Sequence, residues 1–171
     1  IVSHSKNIVD IVFLIDGSRS MRNDIESVRN HLQSMMDVLN LENMDFTIGV
    51  VIFRHHRGYG LLGWDFEVTQ QTKSIGQITK VFDKVRCIGG EKAIDSIYRA
   101  IEEVKFREDA ERRFILVTDE YLAGNYRPAK VLEKLKSKQI SLSIIGRKEQ
   151  AQKFLAHQTS GIWLPIDSLK F

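Results

Sequence analysis

The run Ile11-Val-Phe-Leu-Ile15 passes without a break into Asp16-Gly17-Ser18-Arg19-Ser20, and this junction constrains the chain more than any other stretch. A short, wholly apolar segment rich in β-branched residues reads as a strand buried on both faces, the kind found in parallel sheets. It stops at a carboxylate, a glycine and two alternating hydroxyls, after which a helical pattern begins. Asp16, Ser18 and Ser20 can therefore point three oxygen-bearing side chains into one loop at the carboxyl end of a strand, where open α/β sheets place their ligands. Donors that are all oxygen suit a hard cation such as magnesium, manganese or calcium better than zinc.

Further segments of the same two kinds come next. Residues 22–39 put Ile25, Val28, Leu32, Met35, Met36 and Leu39 on one face at three- and four-residue steps, an amphipathic helix that Ser20 or Asn23 could cap. Phe46 to Phe53 is a second buried strand and Leu61 to Val68 a third, joined by so short a loop that they must be antiparallel neighbours. The His55-His56 pair in that loop lacks a cysteine or further histidine nearby to complete a zinc site, and reads as part of a solvated basic loop. Ile75 to Val85 gives a second helix, and after Gly89-Gly90 a third starts near Glu91, with Glu108 and Arg112 at an i, i+4 spacing beyond it. Phe114 to Thr118 is the next strand and ends in Asp119-Glu120. Pro128 opens another helix, Ile140 to Ile145 is a strand closed by Gly146, a helix covers about 149–157, and a last strand lies near Ile162 to Pro165.

The order β-α-β-β-α-α-β-α-β-α-β predicts an α/β fold: a doubly wound, Rossmann-like, mostly parallel six-stranded sheet with one antiparallel edge strand and helices on both faces. The first and fourth strands then flank the point where strand order reverses, which makes Asp16 and Asp119 neighbours. Glu91 has no local reason to join them, but its Gly-Gly approach supplies backbone that can come close to an ion.

At 171 residues the expectation is a single domain, residues 1–171, excised from a larger protein because the chain opens at Ile1 without a methionine or signal peptide. A net charge of +3, with lysines spread along the chain, gives no footprint for nucleic acid. The lone Cys87 allows no internal disulfide. No apolar run approaches the roughly 20 residues of a membrane span.

Together these segments resemble a von Willebrand factor type A (VWA) domain over nearly the whole chain. Asp16-Gly-Ser18-Arg-Ser20 is similar to the D-x-S-x-S of the metal-ion-dependent adhesion site, and Val117-Thr-Asp119-Glu to its later aspartate strand. Integrin-α-type domains complete that site with a threonine in the middle loop. Gly89-Gly-Glu91-Lys-Ala-Ile-Asp95-Ser-Ile has none, and resembles instead the integrin-β and many bacterial forms, which use a glutamate.

The resemblance implies that Ser18, Ser20 and Glu91 bind a magnesium ion directly, with manganese or calcium as substitutes. Asp16 and Asp119 would hold the ion through water or orient the hydroxyls. One coordination position would be left for an aspartate or glutamate carboxylate of a protein partner. The implied protein is a monomeric adhesion or interaction module, not an enzyme, working outside the cell or at a cell surface or envelope. Three carboxylates around a dication leave the centre at about −1, so the glutamate form should accept an incoming carboxylate less readily than the neutral threonine form, unless Arg19 or Lys92 offsets the charge.

Other readings are open. Haloacid-dehalogenase-like phosphatases and receiver domains also place strand-end aspartates around magnesium. The phosphatases need a second aspartate where Ser18 stands, and Ile145-Gly146-Arg147 lacks the late lysine of a receiver domain. A metal-free scaffold is the last of these alternatives. In integrin-α-type domains movement of the last helix couples to the metal site. Here Ile166 to Phe171 falls barely past the last strand, so that helix is expected to be cut short or supplied by the rest of a parent chain, and no affinity switch is expected of this segment.

Overall fold

The computed structural model describes residues 7–55, 64–85 and 92–170, apart from the side chains of His55 and Trp64. Strands β1 (Ile8–Asp16), β2 (Asp45–His55), β3 (Trp64–Thr72), β4 (Glu111–Val117), β5 (Ile140–Gly146) and β6 (Trp163–Pro165) form one sheet in the order β3-β2-β1-β4-β5-β6. Only the β2–β3 pair is antiparallel; β1–β2, β1–β4, β4–β5 and β5–β6 are parallel. The expected fold class is the observed one, and the reversal of strand order falls between β1 and β4.

The continuous apolar run of β1 is explained by helices on both sides of it. Val9, Ile11, Phe13 and Ile15 pack towards α1 (Arg22–Leu41) and α2 (Ile75–Asp83), meeting Ile25, Val28, Leu32, Met36, Ile78 and Phe82. Val12 and Leu14 pack on the opposite face under α3 (Ala93–Glu103), α4 (Pro128–Ser137) and α5 (Gln150–Gln158). Leu14 and Ile15 have no exposed surface, and truncating such a side chain to alanine costs about 2–5 kcal/mol.

Some boundaries differ from expectation for physical reasons. The third strand, expected over Leu61–Val68, runs on to Thr72, and Leu61–Gly63 lie outside the described residues. Backbone pairing with β2, from His55–Trp64 to Ile48–Thr72 across a bulge, extends it through four polar residues that no apolar pattern marks. Strand β4 likewise starts early, at Glu111, because its charged entry pairs with Val9–Ile11 of β1. Glu108 and Arg112 are not on a helix, since α3 ends at Glu103; Arg112 donates instead to the Lys138 carbonyl at 3.0 Å. Neither Ser20 nor Asn23 caps α1. A 3-10 turn, Arg19–Met21, precedes that helix, and Met21 stands at its cap position with no side-chain bond. Pro128 does open α4 as expected, and Ser74 caps α2 by accepting from the Gln77 amide.

The amino-terminal ends of the strands are clasped by Arg107. Its backbone amide and Nε each donate to the fully buried Asp10 at 2.7 Å, and its Nη1 donates to Asp45 at 2.9 Å. Thr47 adds a bond to Asp10 at 2.6 Å, and Lys73 pairs with Asp45 at 2.9 Å. The Arg107 and Lys73 bonds hold the Asp45 carboxyl down at about 2. This end is therefore fixed by satisfied ion pairs.

Candidate metal centre

Strand β1 ends at Asp16, and the chain then turns sharply at Gly17, whose amide donates to the Phe53 carbonyl at 2.8 Å. A Cβ at Gly17 would sit 3.2 Å from Ile52 Cγ2 and 3.3 Å from that carbonyl, so glycine lets the loop leave against β2. Asp16 is fully buried. One carboxylate oxygen accepts from the Ser18 amide at 2.8 Å, the other from the Thr118 hydroxyl at 2.7 Å. Burial pushes its pKa up to about 6; the bonds from Thr118 and Ser18 oppose the rise, and the charge of Asp119 adds to it. Ser18 is buried with its hydroxyl 3.2 Å from that of Ser20, whose side chain faces solvent. The two hydroxyls bond one another, and no backbone amide at the start of α1 takes either of them. That is why neither serves as a cap.

Asp119 follows β4 by two residues and lies close enough to Asp16 to raise its pKa. Its Oδ1 is buried and has no hydrogen-bond partner among the described residues. A buried carboxylate oxygen left without a donor is costly, and the neighbouring Asp16 carboxylate adds to that cost. A third acid, Asp24 in the first turn of α1, is buried as well. Its pKa is raised by burial first and then by Asp119, against a smaller opposing effect from Lys170.

The loop that carries Asp119 has no regular structure, yet it is braced by separate elements. The Thr118 amide donates to the Ile145 carbonyl at 3.1 Å, Gln152 Nε2 to the Glu120 carbonyl at 2.8 Å, and the Leu122 amide to Glu149 at 2.9 Å. Buried Asp95 of α3 accepts from the Asn125 amide at 2.6 Å, the Asn125 side chain at 2.9 Å and the Tyr126 amide at 3.3 Å. Gly124 makes this approach possible: φ is +154°, and a Cβ there would lie 2.4 Å from Asp95 Oδ1. Tyr126 stacks on Tyr98 of α3 with ring centroids 4.0 Å apart.

The structure thus brings Asp16, Ser18, Ser20 and Asp119 to one end of the sheet. Glu91 lies outside the described residues, as do Cys87 and the His55 and His56 side chains. Lys92 follows Glu91 at the cap position of α3, half-buried. Sequence reasoning missed Thr118, Asp24 and Asp95. The first reads as strand, and only the pairing of β1 with β4 places it on Asp16. The other two are charged residues within apolar helical stripes, a signal that the sequence does carry. Among the described residues no three His, Cys, Asp or Glu side chains group to hold a metal by themselves, so a centre here draws on the serine hydroxyls too.

The family model for the von Willebrand factor type A domain matches residues 10–160. The chain belongs to this family. Solved structures with the same fold include an aerotolerance-related membrane protein from Bacteroides fragilis carrying multiple mutations to serine, 13% identical, with a TM-score of 0.70 over 94% of this chain and 92% of that one. The SpRpn10 VWA domain is 14% identical, with a TM-score of 0.70 over 95% and 93% of the two chains. Proximal thread matrix protein 1 of the mussel byssus, whose MIDAS motif is occupied by zinc, is 20% identical, with a TM-score of 0.73 over 96% of this VWA domain but 43% of that protein. No curated protein matches the sequence. Among the described residues no helix is long and apolar enough to cross a membrane.

Proposed function

We propose that this VWA domain is a divalent-metal-dependent protein-binding module that takes an aspartate or glutamate side chain of its partner. The observation that carries the reading is the buried Oδ1 of Asp119, without a partner among the described residues, beside the buried Asp16. A hard dication is what such an arrangement lacks, since it would supply positive charge to both acids. Ser18, Ser20 and Glu91 would hold magnesium, or manganese or calcium in its place, with Asp16 and Asp119 steadying the hydroxyls and bound water. When bound, the ion offers an electrophilic position to an incoming carboxylate.

The chain's own part is preorganisation. Thr118 and the Ser18 amide fix the Asp16 carboxylate, and Asp95, Glu149 and Gln152 fix the loop of Asp119, so little ordering is left for the moment of binding. Recognition and not catalysis is the role we assign, in a monomeric domain outside the cell or at a cell envelope. The neighbours described as a membrane protein and as a byssal thread matrix protein support that location.

Titration of magnesium and manganese into metal-stripped protein tests the reading, with Asp16→Ala and Ser18→Ala as controls. One saturable site, lost in both variants, is expected. Absent or unaltered binding contradicts it, and metal-dependent hydrolysis of a generic phosphoester would favour the enzyme reading instead.

A further inference from the structure

Beside the proposed centre, Arg147 is the first residue after β5, and its guanidinium lies over the Tyr121 ring at 4.6 Å from the centroid. Tyr121 is 52% exposed, two residues beyond Asp119, and the Arg147 side chain is 49% exposed. Arg147 reaches the Glu120 carboxylate only at a long 3.9 Å. Such a pair adds little to stability, so the fork of donors remains available to a ligand.

The platform is rigid for reasons that lie beneath it. Fully buried Gln152 of α5 donates to the Glu120 carbonyl and accepts from Trp163 Nε1 of β6 at 3.3 Å, which braces the loop after β4 against α5 and β6. Gly146 permits this, because a Cβ there would fall 2.1 Å from Gln152 Oε1. Glu149 holds the Leu122 amide on the other side. An exposed tyrosine and arginine on a preorganised support are the residue types that anchor interfaces. Arg19, Arg22 and Lys148 add exposed positive charge at the same end of the sheet, beside the acids of the proposed centre.

We propose that Arg147, held over Tyr121, is a second recognition point of this face and takes a second acidic side chain of the same partner segment. The proposal rests on the metal-dependent reading above for its first contact. Strand β4 separates β1 from β5, so the two contacts are about two strand spacings, roughly 10 Å, apart. A segment in the polyproline-II conformation rises about 3.1 Å per residue and returns to the same face every third residue, so it covers that distance in about three residues. The segment recognised therefore carries acidic residues three positions apart, an Asp-x-x-Glu arrangement.

The test uses two probes, the peptide Gly-Asp-Gly-Gly-Glu-Gly and its counterpart with glutamine in place of glutamate. Binding to the isotope-labelled protein is followed by backbone amide shifts in magnesium and again in a chelator. The diacidic peptide should bind about three- to tenfold more tightly than the glutamine peptide, the range for a partly exposed charge-assisted bond. That preference should vanish in Arg147→Ala, reverse in Arg147→Glu and persist in Tyr121→Phe. Equal binding of the two peptides, a preference that survives Arg147→Ala, or no binding of either overturns the proposal. A preference that depends on Arg147 but ignores the chelator upholds the second point and sinks the metal-dependent first contact. Magnesium-dependent binding without any preference does the opposite.

Discussion

The Thr118 hydroxyl donates to Asp16 Oδ2 at 2.7 Å, joining the ends of β4 and β1 across the point where strand order reverses. It leaves a buried carboxylate with a neutral partner while the adjacent Asp119 keeps an oxygen unpaired among the described residues. The end of the sheet is arranged to hold negative charge without neutralising it.

Replacing Thr118 by valine keeps the shape and removes the donor. An unsatisfied buried acceptor costs about 1–3 kcal/mol, so the denaturant midpoint of the metal-free protein should fall accordingly. The Asp16 pKa, read by carboxyl-carbon NMR, should rise further, because the largest of the bonds that oppose its rise is gone.

The same acid contributes to the pH dependence of the metal-free fold, and Asp24, raised by burial as well, acts in the same direction. A carboxyl raised from 3.8 to about 6 binds its proton more tightly folded than unfolded, so Asp16 favours the fold more as pH falls from 7 towards 4 and less as pH rises through 6. Asp45, lowered to about 2, works the other way: its contribution is complete above about 4 and is lost as pH falls through 2. Melting in a chelator should therefore give a higher midpoint at pH 5 than at pH 7.5, then a fall below about pH 4. Asp16→Asn should flatten the first limb and Asp45→Asn the second.

The Asp95 clamp should govern the loop of Asp119. Asp95→Ala strands the Asn125 amide and Gly124→Ala forces a Cβ against Ile94 and Asp95. Each should cost about 1–3 kcal/mol and raise hydrogen exchange across residues 119–126, with weaker manganese binding as the consequence. Unchanged exchange in that loop would show that the clamp does not hold it.

Charge should set the grip of the proposed centre on its ligand. Glu91→Thr removes one negative charge and should strengthen carboxylate binding in magnesium, measured with the diacidic peptide. An unchanged or lower affinity would sink that expectation.

Much of this is legible in the sequence. The β-branched run ending in Asp16, the hydroxyls two and four residues on, and the strand ending before Asp119 all obey local patterns that burial reinforces. Topology then makes Asp16 and Asp119 neighbours, because β1 and β4 have to flank the reversal. What escapes is long-range. The polar stretch Thr69–Thr72 is a strand only because β2 pairs with it, and Thr118 is a donor only because β1 lies alongside. Asp95 reads as an ordinary first-turn acid until the chain returns with Asn125. Ser20 looks like a cap for the same reason, since a hydroxyl suits either task until its neighbours are known.

Asp16, Ser18, Ser20, Glu91 and Asp119 are proposed to form one cation centre, and the metal-dependent reading depends on it. Calorimetric titration of manganese into metal-stripped protein, beside the isosteric Asp119→Asn, tests it most directly. We expect a single site in the parent, weakened at least about tenfold in the variant, which stays folded. A variant that binds manganese as tightly as the parent, or a parent that binds none, would contradict it.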